Sequence, residues 1–209
     1  MAFEAASLRL CLVTDRGLAA GRSVIDIALA AVRGGATMVQ LREKDATTRA
    51  FVEQARALKA ALAPLGVPLA INDRLDVALA VDADGLHVGQ DDMPVEAARR
   101  LMGPGKFIGL SITALDQVRR PDAAAADYLG VGPIYAQLTK SDAAPPLGPE
   151  GLRRLRGLTA KPVVAIGGLT PDNSAPVLAA GADGLAVVSA IVAAVDPEAA
   201  AGRFVALFG

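Results

Sequence analysis

The feature that most constrains the fold of this chain is an eightfold alternation of two kinds of segment. Short β-branched or aliphatic runs that end in polar loops alternate with longer, alanine-rich stretches whose apolar residues recur at helical spacing. A strand followed by a helix, repeated along one chain, is typical of a parallel sheet covered by helices. The eight predicted strands begin near Leu8, Thr37, Pro68, Gly85, Phe107, Asp127, Pro162 and Gly184.

The length of the repeat favours a closed barrel over an open sheet. Eight units in 209 residues average about 26 residues each, close to a barrel of the usual ~250 residues without insertions. A doubly wound open sheet is the alternative. We predict an α/β protein in which residues 1–209 form one (β/α)8 TIM barrel domain.

Local signals mark where several helices begin. Ser23 and Asp26 form a Ser-x-x-Asp capping pattern, and Gly34 is suited to end the helix that follows. A second helix carries an apolar stripe made of Phe51, Ala55, Leu58 and Leu62. Prolines, whose missing amide hydrogen costs little in a first turn, predict later helix starts near Pro94, Pro149, Pro171 and Pro197.

Composition and charge restrict the kind of partner. Lys and Arg number 21 against 22 Asp and Glu, and with two Tyr, five Phe and no Trp the chain has few surfaces on which bases could stack, so we expect no nucleic-acid partner. The apolar runs are shorter than the roughly 20 residues that span a bilayer, and the N-terminus lacks the pattern of a signal peptide. The single cysteine, Cys11, lies in an apolar run, where a buried thiol is expected. These features predict a cytoplasmic protein that binds small molecules.

In a barrel of parallel strands, the residues that follow the strands meet at one end, where such enzymes carry their active sites. Polar and glycine residues follow all eight predicted strands of this chain. They are Thr14 to Arg16, Gln40 to Lys44, Asn72 and Asp73, His87 to Asp92, Ser111, Gly132 to Tyr135 with Thr139 and Lys140, Gly167 and Gly168, and Ser189.

The last two loops predict a phosphate site. Gly167 and Gly168 allow main-chain amides to approach an anion, and Ser189 could cap a short helix over residues 190–194 whose free amides favour negative charge. The alternative is a tight turn and an ordinary helix cap. The position after strands seven and eight favours phosphate, because barrels often bind phosphate there.

Asp73 and Asp92 follow neighbouring strands and can converge on one cation. Magnesium prefers one or two carboxylates together with water and substrate phosphates, and no Cys or His cluster suggests zinc. Both residues could instead cap the helices that follow them, and spacing alone does not separate the two interpretations.

Cations for a second anionic group come from two loops. Arg42, Lys44 and Lys140 supply them, although a solvated surface lysine is the ordinary alternative for Lys140. Gln40 shares the face of Arg42 and points into the barrel, where a structural hydrogen bond is its alternative role. The only histidine, His87, and Cys11 lie in apolar strands without an evident triad partner, which argues against nucleophilic catalysis. A site of phosphates, metal and cations suits loss of pyrophosphate.

In their order and spacing, these segments resemble the thiamine-phosphate synthase family almost from end to end. The resemblance is carried by Leu12 to Arg16, Val39 to Lys44, Asn72 and Asp73, Gly85 to Asp92, Gly130 to Tyr135, Thr139 and Lys140, Ala165 to Gly168, and Val187 to Ile191. It implies a (β/α)8 barrel that joins hydroxymethylpyrimidine diphosphate to a thiazole phosphate with Mg2+. It also implies a dissociative reaction, in which pyrophosphate leaves and the thiazole nitrogen captures a pyrimidine methylene cation.

The resemblance also implies residue roles. Asp73 and Asp92 would hold Mg2+, and Gly168, Val188 and Ser189 would receive the thiazole phosphate. The expected catalytic residues are Lys44, Ser111 and Lys140. The diphosphate and the reacting groups would be contacted by Gln40, Arg42, Lys44, Asn72, Ser111, Thr139 and Lys140.

One loop departs from the family pattern, which usually has Thr-x-Thr-Lys where this chain has Gln137, Leu138, Thr139 and Lys140. Gln137 keeps a donor and an acceptor but is longer than threonine, so its substrate contact is altered. Residues 137–148 could form a lid or a plain connection. Two other functions remain open: a thiazole tautomerase, which would not need the whole metal and cation set, and a non-catalytic phosphate-ligand sensor.

Overall fold

The computed structural model describes residues 5–136 and 145–209, and within them eight parallel strands close into a barrel in chain order. Its first and last strands pair, with Cys11 opposite Ala186. The strands are β1 Leu10–Val13, β2 Met38–Leu41, β3 Leu69–Asn72, β4 Gly85–Val88, β5 Phe107–Ile112, β6 Tyr128–Val131, β7 Val163–Ile166 and β8 Gly184–Val187. The predicted TIM barrel is confirmed, and the strand starts lie within two residues of the predicted ones.

Helices cover the outside of the barrel. Those in the described residues are α1 Val24–Arg33, α2 Thr48–Leu62, α3 Leu75–Ala80, α4 Val95–Met102, α5 Pro121–Ala125, α6 Gly148–Arg156, α7 Pro171–Ala179, α8 Ser189–Val192 and α9 Pro197–Val205. None of them is long and apolar enough to cross a membrane.

The predicted helix signals are present in the structure. The Ser23 hydroxyl accepts a hydrogen bond from the Asp26 amide at 3.2 Å, and Gly34 is the C-terminal cap of α1. The apolar stripe of α2 is buried from Phe51 to Leu62. These local patterns therefore act in the fold by capping a helix end and by burying one helix face against the barrel.

Alternation along each strand divides the core into two layers. One set of strand side chains, such as Leu12, Val39 and Leu86, packs outward against the helices. The other set fills the barrel interior with a smaller cluster that includes Cys11, Met38, Ala70, Tyr128 and Val164. Burial raises the pKa of the Cys11 thiol to about 12, which keeps it protonated and unreactive.

The same alternation determines which polar groups face the interior. Gln40 lies two residues after Met38, Asn72 two residues after Ala70, and Ser111 four residues after Phe107. These side chains lie above the apolar interior cluster, toward the carboxyl ends of the strands. The barrel thus has an apolar lower interior and a polar upper layer.

Candidate active site

The polar residues predicted to follow the strands lie at one end of the barrel. All eight strands are parallel, so their carboxyl ends and the loops that leave them share one rim. Lys44, Asp73 and the turn at Gly168 are therefore at the same end of the molecule. This arrangement is what a site for two anionic groups requires.

Asp73 and Asp92 form an acidic pair at the rim between β3 and β4. Their carboxyl groups are within hydrogen-bonding distance of each other. Partial loss of solvation, followed by the nearby charge of Asp92, raises the pKa of Asp73 to about 6, and Arg42 and Asn72 oppose this shift. The Asp73 amide donates to the His87 carbonyl at 2.8 Å, and an Asp92 oxygen accepts from the Gly89 amide at 2.7 Å.

Neither carboxylate caps the helix that follows it. The N-terminal cap of α3 is Arg74, without a side-chain bond, and that of α4 is Pro94. The first amide of α4, from Val95, is instead bound by Asp122 at 2.8 Å. Capping therefore does not account for two carboxylates held together against their own repulsion.

The residues of the acidic pair fit a hard divalent cation. A divalent ion stabilises two carboxylates that lie side by side, because its charge offsets their repulsion, and oxygen donors are the ligands magnesium prefers. The described residues contain no group of three or more Cys, His, Asp or Glu able to hold a metal ion by themselves. Such a cation would need further ligands from water or from a bound phosphate.

The cationic side of the site is built on the β1 and β2 loops. Arg42 donates to Asp15 at 3.0 Å, and its amide is bound by the Thr14 hydroxyl at 3.0 Å. This pairing fixes Arg42 close enough to Asp73 to lower the pKa of that carboxyl. Lys44 is exposed and lines, with Arg42 and Asp15, a cavity of about 470 Å³ at the rim.

Ser111 is held from two directions at the end of β5. Its hydroxyl lies 2.9 Å from His87 Nε2, and its carbonyl accepts from the Gln90 side chain at 2.7 Å. The other ring nitrogen of His87 lies 2.9 Å from the Tyr128 hydroxyl. His87 thus has two hydrogen-bond partners that the sequence does not reveal, because neighbouring strands bring together residues that are far apart in sequence.

The Ser111–His87 contact is not an activated nucleophile. Burial lowers the pKa of His87 to about 4, so the imidazole is a weak base at neutral pH. Its second nitrogen contacts a phenol rather than the carboxylate that a catalytic triad uses. The pair is a neutral hydrogen-bonding unit.

The turn after β7 depends on glycine at two successive positions. Gly167 and Gly168 have positive φ angles of 101° and 65°, and a Cβ at Gly168 would lie 2.7 Å from the Ala136 carbonyl oxygen. Asn173 of α7 donates to the Gly168 carbonyl at 2.9 Å and fixes the turn. The sequence requires glycine here because any side chain would strain or clash.

The helix after β8 differs from the prediction in its first residue. Ser189 is the first residue of α8 and Val188 is its cap, without a side-chain bond, so the prediction that Ser189 caps a helix over residues 190–194 is wrong. The helix is also shorter, ending at Val192, where Arg22 binds the Val192 and Ala194 carbonyls. The chain turns into the helix one residue earlier than the capping pattern suggests, which leaves the Ser189 hydroxyl exposed at the rim.

Three predicted site residues cannot be placed. Gln137, Thr139 and Lys140 lie outside the described residues. The remaining predicted residues all lie on the rim or in the upper interior, and they are Gln40, Arg42, Lys44, Asn72, Asp73, Asp92, Ser111, Gly168, Val188 and Ser189.

Three further residues hold this set in position and were not among the predicted site residues. Tyr128, Gln90 and Asn173 each bind a site residue or its neighbour. Tyr128 carried a usable signal, since a bulky polar ring two residues before a glycine on an inward-facing strand position predicts a buried hydrogen bond. The bonds of Gln90 and Asn173 depend on loop geometry and carried no such signal.

Comparison with known proteins points to one family. Residues 10–191 match the family model described as thiamine monophosphate synthase. The chain is 58% identical over 197 residues to a thiamine-phosphate synthase of Albidiferax ferrireducens, with 94% of this chain and 90% of that protein covered. It is 56% identical over 199 residues to a thiamine-phosphate synthase of Chloroflexus aurantiacus, covering 95% and 92% of the two chains.

Solved structures agree with this result. A thiamine phosphate pyrophosphorylase of Pyrococcus furiosus superposes with a TM-score of 0.89 at 37% identity, covering 97% of this chain and 96% of that one. A 3-hexulose-6-phosphate synthase superposes with a TM-score of 0.68 at 18% identity, covering 96% and 99%, which shows a shared fold alone.

Proposed function

Because the chain belongs to the thiamine monophosphate synthase family and is an enzyme of the transferase class, we propose that it joins hydroxymethylpyrimidine diphosphate to a thiazole phosphate and releases pyrophosphate. The observation that carries this proposal is that two groups of residues suited to bind anions lie on one rim. The acidic pair and Arg42 lie after β2 to β4, and the Gly168 turn and α8 lie after β7 and β8.

The diphosphate binds at the first element. Asp73 and Asp92 would hold Mg2+, which would supply positive charge to phosphate oxygens. Arg42 and Lys44 contact the diphosphate from the β2 loop, and Asn72 and Gln40 supply amide groups from the upper interior. Lys140 belongs to this set by the family pattern. The contacts that support these roles are the Arg42 to Asp15 pairing and the position of Lys44 at the rim.

The thiazole phosphate binds at the second element. The amides of the Gly168 turn and the first turn of α8, at Val188 and Ser189, provide donors for its oxygens. Gln137 and Thr139 contact the reacting groups from the loop after β6. The positive φ of Gly168 and its fixation by Asn173 support this assignment, because they hold the turn open to an anion.

The reaction that suits these groups is dissociative. The bond between the pyrimidine methylene carbon and the diphosphate oxygen breaks, and both electrons leave with pyrophosphate. The thiazole nitrogen then donates its lone pair to the methylene cation and forms the new C–N bond. Arg42 and Lys44 stabilise charge on the leaving group, and Ser111 donates a hydrogen bond there, so the step needs no strong base.

The acidic pair favours this function over its alternatives. A tautomerase or a phosphate-ligand sensor gains nothing from two repelling carboxylates beside an arginine, whereas a magnesium diphosphate requires them. We place the enzyme in the reducing cytoplasm, where the unreactive thiol of Cys11 needs no partner.

The test is an assay of the purified protein with both substrates, in Mg2+ and in excess chelator. We expect thiamine phosphate and pyrophosphate to form in equal amounts with Mg2+, and neither product to form when one substrate is omitted. Thiazole isomerisation without coupling, or tight binding of both ligands without turnover, would contradict the proposal.

A further inference from the structure

The interior of the barrel contains a slot built around the His87 ring. A Cβ at Gly109 of β5 would lie 2.5 Å from His87 Nδ1 and 2.2 Å from Tyr128 Cζ. A Cβ at Gly130 of β6 would lie 2.8 Å from His87 Cε1. Two strands thus carry glycine where a side chain would displace the imidazole or the phenol, so the backbone accommodates both rings in one arrangement.

Four side chains form a continuous hydrogen-bonded chain through this slot. The Gln40 side chain binds the Tyr128 phenol, which lies 2.9 Å from His87 Nδ1. His87 Nε2 lies 2.9 Å from the Ser111 hydroxyl at the end of β5. The chain joins Gln40 and Ser111, two residues of the proposed diphosphate site, through two buried rings, and Gln90 fixes the backbone of Ser111.

The direction of the hydrogen bonds follows from the two hydroxyls that flank the His87 ring. The Tyr128 phenol and the Ser111 hydroxyl each lie 2.9 Å from one ring nitrogen. A phenol is far more acidic than an aliphatic hydroxyl and is therefore the stronger donor, so the phenol donates its hydrogen to His87 Nδ1. A neutral imidazole that accepts at Nδ1 carries its hydrogen on Nε2 and donates it to Ser111.

This direction has one consequence at the rim. The Ser111 oxygen accepts from His87, so its own hydrogen is available to an acceptor outside the chain of bonds. In the opposite direction, Ser111 would donate to His87 and would present lone pairs to the diphosphate. A donor, and not an acceptor, stabilises the negative charge that grows on a departing diphosphate.

We propose that Tyr128 and His87 are positioning residues that fix the direction of the hydrogen bonds made by the Ser111 hydroxyl. In this arrangement, Ser111 accepts from His87 and donates to the leaving diphosphate. The inference rests on the proposed function, which supplies the diphosphate. It adds two buried residues that do not touch the substrate and a defined tautomer for His87.

The tautomer is directly measurable because His87 is the only histidine in the chain. Protein labelled with 15N-histidine gives one pair of imidazole nitrogen signals. We expect the Nε2–H form between pH 6 and 8 in the intact wild-type protein, and a shift toward a mixture of tautomers in Tyr128→Phe. Tyr135→Phe is the matched control, since it removes the other phenol of the chain, which binds the Asn173 carbonyl, and leaves the imidazole signals unchanged.

Kinetics separate positioning from simple packing. We expect Ser111→Ala to lower kcat roughly 100-fold, the cost of losing one donor to a developing anion. Tyr128→Phe should lower kcat about tenfold, with KM for both substrates changed less than about threefold. The double variant should be no slower than Ser111→Ala, because both changes interrupt one chain of bonds.

Each outcome bears on a separate statement. An Nδ1–H tautomer in the wild type, an unchanged kcat in Tyr128→Phe, or additive losses in the double variant would overturn the inference while leaving synthase activity intact. A wild-type protein that makes no thiamine phosphate contradicts the proposed function itself. The wild-type spectrum decides the direction of the bonds even if a variant fails to fold.

Discussion

At the residue scale, the site contains two like charges that the fold holds closer together than they would lie if both side chains were free in water. Asp73 and Asp92 repel each other at the rim, and Arg42 offsets only part of that repulsion. Asp73 also has a left-handed backbone, with φ of 62°, a conformation that aspartate adopts more readily than most residues other than glycine.

Asp92→Asn tests the acidic pair. The amide oxygen can still accept from the Gly89 amide, which keeps the loop, but one negative charge is lost. We expect Mg2+-dependent formation of thiamine phosphate to fall at least about 100-fold, measured as kcat/KM. The matched control is Asp91→Asn on the adjacent exposed residue, which should keep near-normal turnover. Near-normal turnover in Asp92→Asn would remove the metal role from this residue.

Lys44→Ala tests the division of the rim into two anion sites. A charged hydrogen bond to phosphate contributes about 1.5–3 kcal/mol, so kcat/KM for the pyrimidine diphosphate should fall about 10-fold to 100-fold. The affinity for thiazole phosphate, measured by calorimetry, should change less than about threefold. Lys106→Ala is the control, because Lys106 pairs with Asp82 at the opposite end of the barrel. A selective loss of thiazole phosphate affinity would show that the two sites are assigned the wrong way round.

At the element scale, the first and last large helices are joined by a close contact. Gly34 ends α1, and a Cβ there would lie 2.2 Å from the Glu198 carbonyl oxygen and 2.8 Å from the Ala201 Cβ. Since α1 and α9 belong to the two ends of the chain, this contact helps to close the outer ring of helices as the pairing of β1 with β8 closes the inner one. The glycine that appears in the sequence as a helix stop is also required for packing.

Gly34→Ala should therefore destabilise the protein. Backbone of α9 must move to admit the methyl group, and overpacking of this kind costs about 1–3 kcal/mol in the free energy of unfolding. Gly105→Ala is the control, since its Cβ would meet nothing within 4 Å and its backbone has no positive φ. Its stability should equal or slightly exceed that of the wild type in urea unfolding. Equal stabilities for both variants would contradict the packing role of Gly34.

At the scale of the whole molecule, the buried imidazole links stability to pH. Burial lowers the pKa of His87 from 6.5 to about 4. Between pH 6.5 and pH 4, His87 is therefore protonated in the unfolded chain but neutral in the folded protein. The folded state consequently loses stability as the pH falls from 6.5 toward 4. Asp73 has the opposite effect on stability, because its pKa is raised in the folded protein. As the pH falls, Asp73 is protonated at a higher pH in the folded protein than in the unfolded chain, which favours the folded state.

Comparison of the wild type with His87→Gln isolates the contribution of the histidine. A shift of this size corresponds to about 3 kcal/mol, so the free energy of unfolding of the wild type should fall by up to that amount relative to the variant between pH 7 and pH 4. The measurement is urea unfolding at a series of pH values. Parallel pH profiles for the two proteins would contradict the depressed pKa of His87.

Most of the fold was predictable because its signals are local. Apolar periodicity placed β1 to β8, and capping patterns such as that of Ser23 placed helix starts, since both depend on neighbours within a turn or a strand. The convergence of Asp73, Lys44 and Gly168 followed from one global rule, that parallel strands in a closed barrel bring their carboxyl ends together.

The sequence by itself thus determined the barrel, the order of its elements and the end at which chemistry is possible. Only the tertiary structure decided that His87 joins Tyr128 to Ser111, that Asp73 and Asp92 share a contact instead of capping helices, and that α8 begins at Ser189. The physical reason is that a strand's pattern specifies which face a side chain takes. The partner it meets across the barrel depends on register and on the space left by residues such as Gly109 and Gly130.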